Sequence, residues 1–219
     1  LPRFLRAPFQ GVLGPPWRIP VVNQSNADGE WLTPLTAASW QTKSLNDYYG
    51  NMFVRAELSL FTLEARIGEA AMAEVMRRYF TRWRFGHPGT DDFFAVVAEV
   101  TGADHSAFFD TFWRGTAWLD YGVEKIDCQP ERGGDRQHRC RVTLMRHGTA
   151  VLPQRARITW DDRTVTEADW DGVARWHHLD SVGEARIRQV ELTAMQQALL
   201  DEDRANNART AAPDARVPR

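Results

Sequence analysis

Cysteine is scarce in this chain. There are two in 219 residues, Cys128 and Cys140, and no Cys-x-x-Cys pair or Cys/His cluster points to a structural zinc. Charge of one sign is missing too: 27 Lys and Arg stand against 29 Asp and Glu, a net charge of −2. No global field is available to recruit nucleic acid or an anionic membrane surface. No apolar run approaches the ~20 residues of a membrane span, and no leader pattern is visible. There is no Gly-rich phosphate loop, no nucleophile elbow and no Ser-His-Asp order. The chain opens at Leu1 without a Met, which marks it as a processed or excised piece.

Hydrophobic residues make up 43% of the chain, with nine Trp and eleven Phe, enough for a bulky core in one or two domains. The first 40 residues carry Pro2, Pro8, Pro15, Pro16, Pro20 and Pro34, which rule out long helices and predict an extended arm. From Tyr48 to Asp120 the spacing becomes helical. Phe53, Ala56, Leu60 and Leu63 predict one buried face, ended by Gly68. Residues 69–83 predict a second helix that buries Ala70, Ala73, Met76, Tyr79 and Phe80. Thr90 is the expected N-cap of a third helix, with Asp91 and Asp92 in its first turn. That helix buries Phe93, Phe94, Val97 and Val100 and stops at Gly102. Asp104 is the expected cap of a fourth, burying Phe108, Phe109, Phe112 and Trp113.

Beyond Thr116 the period changes from 3.6 to 2. Tyr121–Asp127, Val142–Leu144, Arg155–Trp160, Ala174–Trp176 and Ile187–Leu192 read as short strands separated by turns. Asp171-Gly172 and Gly133-Gly134 carry hairpin chemistry. The fold expected is α+β: a helical domain of four to five helices over 1–117, then an antiparallel Ig-like β-sandwich over 118–219 with a frayed tail. Cys128 and Cys140 lie symmetrically about the Gly133-Gly134 turn. A disulfide, with the oxidising compartment it implies, and a pair of half-buried thiols both fit that placement.

The helical stretch also carries a resemblance. Phe53-x-Arg55-Ala56, Ile67-Gly68-Glu69, Arg78-Tyr79-Phe80, Phe85-x-His87-Pro88, Thr90-x-Asp92-Phe93-Phe94, Val97-x-x-Val100-x-Gly102, Phe108-Phe109 and Leu119-Asp120-Tyr121 resemble, in that order, the C-terminal half of the catalytic domain of M1 zinc aminopeptidases, particularly membrane-attached bacterial members. Leu199-Leu200-Asp201 with Asn206-Asn207 resembles the close of the β domain that follows in such proteins. The family binds zinc through two His four apart on a helix, with the adjacent Glu as base. No two of the six His here have that spacing. The resemblance therefore implies a piece that holds no zinc itself, with zinc held by the missing N-terminal half of a parent. Peptide would be the parent's substrate, and the chain an extracytoplasmic portion of a bacterial membrane protein.

One catalytic element of the family would fall inside the chain: a Tyr whose hydroxyl donates to the oxyanion of the tetrahedral intermediate. Phe53 aligns with it and has no hydroxyl. Tyr49, four residues earlier, could substitute, and a shifted register makes Tyr48 or Tyr49 the equivalent. Core packing is the ordinary reading of all three. His87 reads as a turn histidine or a proton carrier, Asp91-Asp92 as dipole compensation or a carboxylate pair, and Glu57 and Glu64 as one acidic helix edge. Trp160, Trp170 and Trp176 with Tyr121 are either sandwich core or an aromatic platform for glycan or peptide. The alternative function is thus an extracytoplasmic interaction module. A cut half-domain would also leave an apolar helical face prone to self-association.

Overall fold

The computed structural model describes residues 33–131, 137–192 and 200–212. Residues 1–32 of the expected N-terminal arm and the Gly133-Gly134 turn lie outside the described residues. Two compact units emerge, divided between Trp118 and Leu119, with residues 200–202 returning to the first. The fold class is α+β, a helical part followed by an antiparallel β-sandwich.

In the first unit, α1 (Leu45–Tyr49), a π-helical segment (Gly50–Arg55) and α2 (Ala56–Ile67) form one continuous helix. Gly68 separates it from α3 (Glu69–Trp83), the span the sequence predicts. α4 (Thr90–Thr101) ends at Gly102, whose φ of 66° is the left-handed conformation glycine adopts without a Cβ penalty. α5 (Ser106–Phe109) runs into a second π segment, Asp110–Arg114. The caps differ from expectation by one residue. Thr90 is the first helical residue rather than the cap, and the Gly89 N–H donates back to Asp92 at 2.7 Å. Asp104 precedes the cap residue His105 and accepts from the Ser106 N–H at 2.8 Å.

The buried faces also differ. α3 buries Met72 and Val75, while Ala70, Ala73, Met76 and Phe80 face solvent. The first helix buries Leu58, Ser59, Thr62 and Leu63, and Phe53 is outside. A π turn holds more residues than an α turn, so the stripe that would run from Phe53 to Leu63 in a regular helix is rotated out of line. α4 and α5 meet expectation better. Phe93, Val97, Phe108, Phe109 and Phe112 are buried, and Phe94 stacks on Phe109 with centroids 3.7 Å apart. Glu74 and Glu99, bridged by Arg78, link α3 to α4 on the surface.

Among the described residues the second unit holds seven strands. β1 (Tyr121–Pro130), β2 (His138–Arg146) and β5 (Trp176–Gly183) form one sheet in the order β1-β2-β5. β3 (Gln154–Trp160), β4 (Val165–Trp170), β6 (Ile187–Leu192) and β7 (Ala208–Thr210) form the other, in the order β4-β3-β6-β7. The fourth strand thus lies beside the third, not beside the fifth as in constant-type immunoglobulin domains. β4 was not legible as a strand, and Asp171-Gly172 is no hairpin: it carries the chain from β4 in one sheet to β5 in the other. Gly172 has φ 74°, and a Cβ there would meet the Tyr121 hydroxyl at 2.5 Å and the Leu152 carbonyl at 2.6 Å. β7 forms where the tail was expected to fray. Cys128 and Cys140 are opposite in the β1–β2 register and joined by a disulfide, with Cα atoms 4.1 Å apart.

Candidate functional site

The helix through the first π segment is polar inside and apolar outside. Asp47, Asn51 and Arg55, four residues apart, are buried. The Thr33 hydroxyl donates to Asp47 Oδ2 at 2.6 Å and the Lys43 N–H to the same oxygen at 3.1 Å. Asn51 Nδ2 donates to Asp47 Oδ1 and to the Thr33 carbonyl, both at 3.0 Å. Arg55 Nη2 donates to the Gly115 carbonyl at 3.0 Å and Nη1 to the Thr33 carbonyl at 3.4 Å. One helix face thereby anchors both the segment entering at Thr33 and the chain leaving the second π segment. Burial pulls the Arg55 guanidinium down to about 10, against the opposing fields of Asp47 and Glu202.

With the polar side turned in, the other side is left in water. Tyr49 is 52% exposed and Phe53 59%, and Leu45 and Met52 extend the same apolar surface. The Tyr49 and Phe53 rings stack with centroids 5.7 Å apart, and Tyr48 meets Tyr49 edge-on at 5.5 Å. The three aromatic residues are therefore together where α1 runs into the π segment: Tyr49 and Phe53 are exposed and Tyr48 is half-buried. π bulges are frequent at functional sites. Chemically, the face offers aromatic surface and phenolic hydroxyls.

The other candidates do not assemble. His87 is exposed in its turn, Asp91 pairs with Arg114, and Asp92 caps α4. Glu57 and Glu64 are half-buried along α2. Trp170 is 3% exposed in the sandwich core, edge-on to Tyr121 at 5.1 Å, whereas Trp176 sits on β5 at 49%. The Tyr121 hydroxyl accepts from the Leu152 N–H at 3.0 Å. No joint platform of Trp160, Trp170, Trp176 and Tyr121 forms.

Among the described residues no three His, Cys, Asp or Glu are placed to hold a metal ion. No helix among them is long and apolar enough to cross a membrane. Sequence reasoning missed the Asp47–Asn51–Arg55 anchor, although three polar residues four apart within a helical stretch were a signal for it. It also missed a half-buried cluster in the sandwich. There Asn206 Nδ2 donates to Asp120 Oδ1 at 2.8 Å, and His147 Nε2 lies 2.8 Å from Glu124. Burial raises the Asp120 carboxyl above its ordinary value, opposed by the Asn206 hydrogen bond and the nearby His147.

No protein-family profile and no curated protein sequence matches the chain. Among solved structures it is similar to Legionella pneumophila aminopeptidase A, determined in complex with aspartic acid, at 12% identity and a TM-score of 0.48. The likeness covers 88% of this chain and 22% of that one.

Proposed function

We propose that the chain is a portion, inactive by itself, of an M1-type metallopeptidase or pseudo-peptidase, in which the helical unit supplies a wall of the substrate cleft. The carrying observation is the outward aromatic face where α1 runs into the first π segment. Phe53, the residue the resemblance sets against the oxyanion donor, stacks with Tyr49, and Tyr49 meets Tyr48, on the side of the helix opposite the buried Asp47–Asn51–Arg55 anchor. An exposed aromatic face needs something to meet, either substrate or the parent's remaining residues. In this reading Phe53 is a contact surface and the Tyr49 hydroxyl, one turn away, is the donor to a developing oxyanion. The disulfide supports an extracytoplasmic location, since such bonds persist in oxidising compartments.

The test measures bound zinc and turnover of aminoacyl fluorogenic substrates, on this chain alone and on the longest natural protein that contains it. The expected result is no zinc and no turnover for the chain. The longer protein should show chelator-sensitive turnover that falls about a hundredfold or more in kcat with Tyr49→Phe. Turnover by the chain alone overturns the reading. A longer protein with neither zinc nor turnover makes this a pseudo-enzyme scaffold. The alternative interaction module then takes precedence, without the aromatic platform that was expected to serve it.

A further inference from the structure

We infer that the sandwich forms a two-fold symmetric dimer by antiparallel pairing of β5 with β5 of a second copy, centred on Leu179. β5 pairs with β2 on one side and with no described strand on the other. It spans Trp176–Gly183 and keeps an unbroken register against β2. Natural edge strands are guarded by shortness, bulges, Pro or Lys. The remaining sheet edges have such guards. β7 spans only Ala208–Thr210, and β4 only Val165–Trp170. β1 has a bulge between Val123 and Lys125, and its Val123 N–H is taken by the Asn206 carbonyl. β5 has no bulge, no Pro and no Lys.

The sequence of β5 selects the occupant. In a two-fold antiparallel pair, opposed residues must both turn their N–H and C=O toward each other. That direction alternates along a strand, so the axis must fall on a residue. Centring on Asp180 sets two carboxylates face to face, and centring on His178 sets each Asp180 opposite Trp176. Centring on Leu179 sets His178 opposite Asp180 of the second copy, His177 opposite Ser181 and Trp176 opposite Val182, each twice. The first sets an imidazole donor against a carboxylate that Arg141 of β2 also holds, and the last is an aromatic–β-branched pair, favourable across strands.

Two observations agree with this register. Trp176 and Val182 are 49% and 50% exposed on the outer face, together with His178 and Asp180. On the inner face, the Ser181 hydroxyl is buried without a partner among the described residues, and the self-pairing brings His177 opposite it. Leu179, half-buried against Val142, meets its own copy and extends the apolar interior. The product is a continuous sheet in the order β1-β2-β5-β5-β2-β1.

The experiment is sedimentation of the intact, disulfide-bonded chain over a dilution series up to about 1 mM, with amide exchange at both ends of the series. We expect a monomer–dimer equilibrium in which amides of β5 become protected at high concentration. His178→Asp places carboxylates opposite each other twice and should weaken dimerisation about tenfold. Combining His178→Asp with Asp180→His exchanges the charges and should restore most of the loss. Val182→Lys, on an already exposed side chain, should weaken the dimer with an unchanged circular dichroism spectrum. A monomer throughout the series overturns the proposal. So does a dimer indifferent to these variants, or one abolished instead by Phe53→Ser on the helical face.

Discussion

Replacing Asp47 by Ala tests whether the polar anchor beneath the aromatic face supports the helical unit. The carboxylate is 1% exposed and receives the Thr33 hydroxyl, the Lys43 N–H and the Asn51 amide. It also offsets part of the desolvation that depresses Arg55. Truncation leaves three donors unpaired and a buried guanidinium short of one of its two carboxylates. Removing one partner of a buried charged network costs about 3–5 kcal/mol. Asp47→Asn retains an oxygen and should lose about 1–3 kcal/mol. Arg55→Met removes the charge that needed compensating. The double variant Asp47→Ala, Arg55→Met should therefore be more stable than the sum of the singles implies, by about 1–3 kcal/mol. The assay is urea unfolding followed by far-ultraviolet circular dichroism, with the helical transition fitted apart from that of the sandwich. A loss below about 1 kcal/mol for Asp47→Ala, or strict additivity of the pair, would refute the argument.

Phe53→Ser should change stability by no more than about 0.5 kcal/mol in the same assay, because the side chain is 59% exposed, whereas a core Phe would cost about 3–5 kcal/mol. Gly172→Ala should destabilise the sandwich by about 3 kcal/mol or more, since the residue combines positive φ with contacts to Tyr121 and Leu152 that leave no room for a Cβ. The chemical-denaturation midpoint of the β unit checks it. Asp120, raised in the folded state, binds its proton there before the unfolded chain does. Its contribution therefore grows as pH falls through the window just above the ordinary aspartate value, and is lost as pH rises past the folded value. Asp120→Asn should flatten that part of the stability profile and leave the sandwich at least as stable at neutral pH. A slope unchanged by the substitution would assign the pH dependence elsewhere.

Helix limits were legible where a local residue sets them. Gly68 and Gly102 end their helices through backbone conformations that need no tertiary partner, and residues 69–83 are the observed helix. The β1–β2 register was legible from two cysteines symmetric about a turn. Which stripe faces inward was not. Leu45, Tyr49, Met52 and Phe53 compete with Asp47, Asn51 and Arg55 for the interior, and hydrophobicity alone ranks them the wrong way round. The polar stripe wins because Thr33 and Gly115, distant in sequence, satisfy its hydrogen-bonding groups. β4 escaped notice because only Trp170 on it is fully buried, so an edge strand leaves little alternation to read.

By itself the sequence determined the class of the fold, the change from helical to strand period after Thr116, the helix stops at Gly68 and Gly102 and the placing of Cys128 opposite Cys140, while the structure decided that they are bonded. Each of these rests on interactions between near neighbours or on composition. Only the tertiary structure decided that Tyr49 and Phe53 face outward, that Trp170 is core while Trp176 is not, and that β5 is the last strand of its sheet among the described residues. Those outcomes depend on which distant segments supply hydrogen bonds and cover, and that information is absent from any local window of residues.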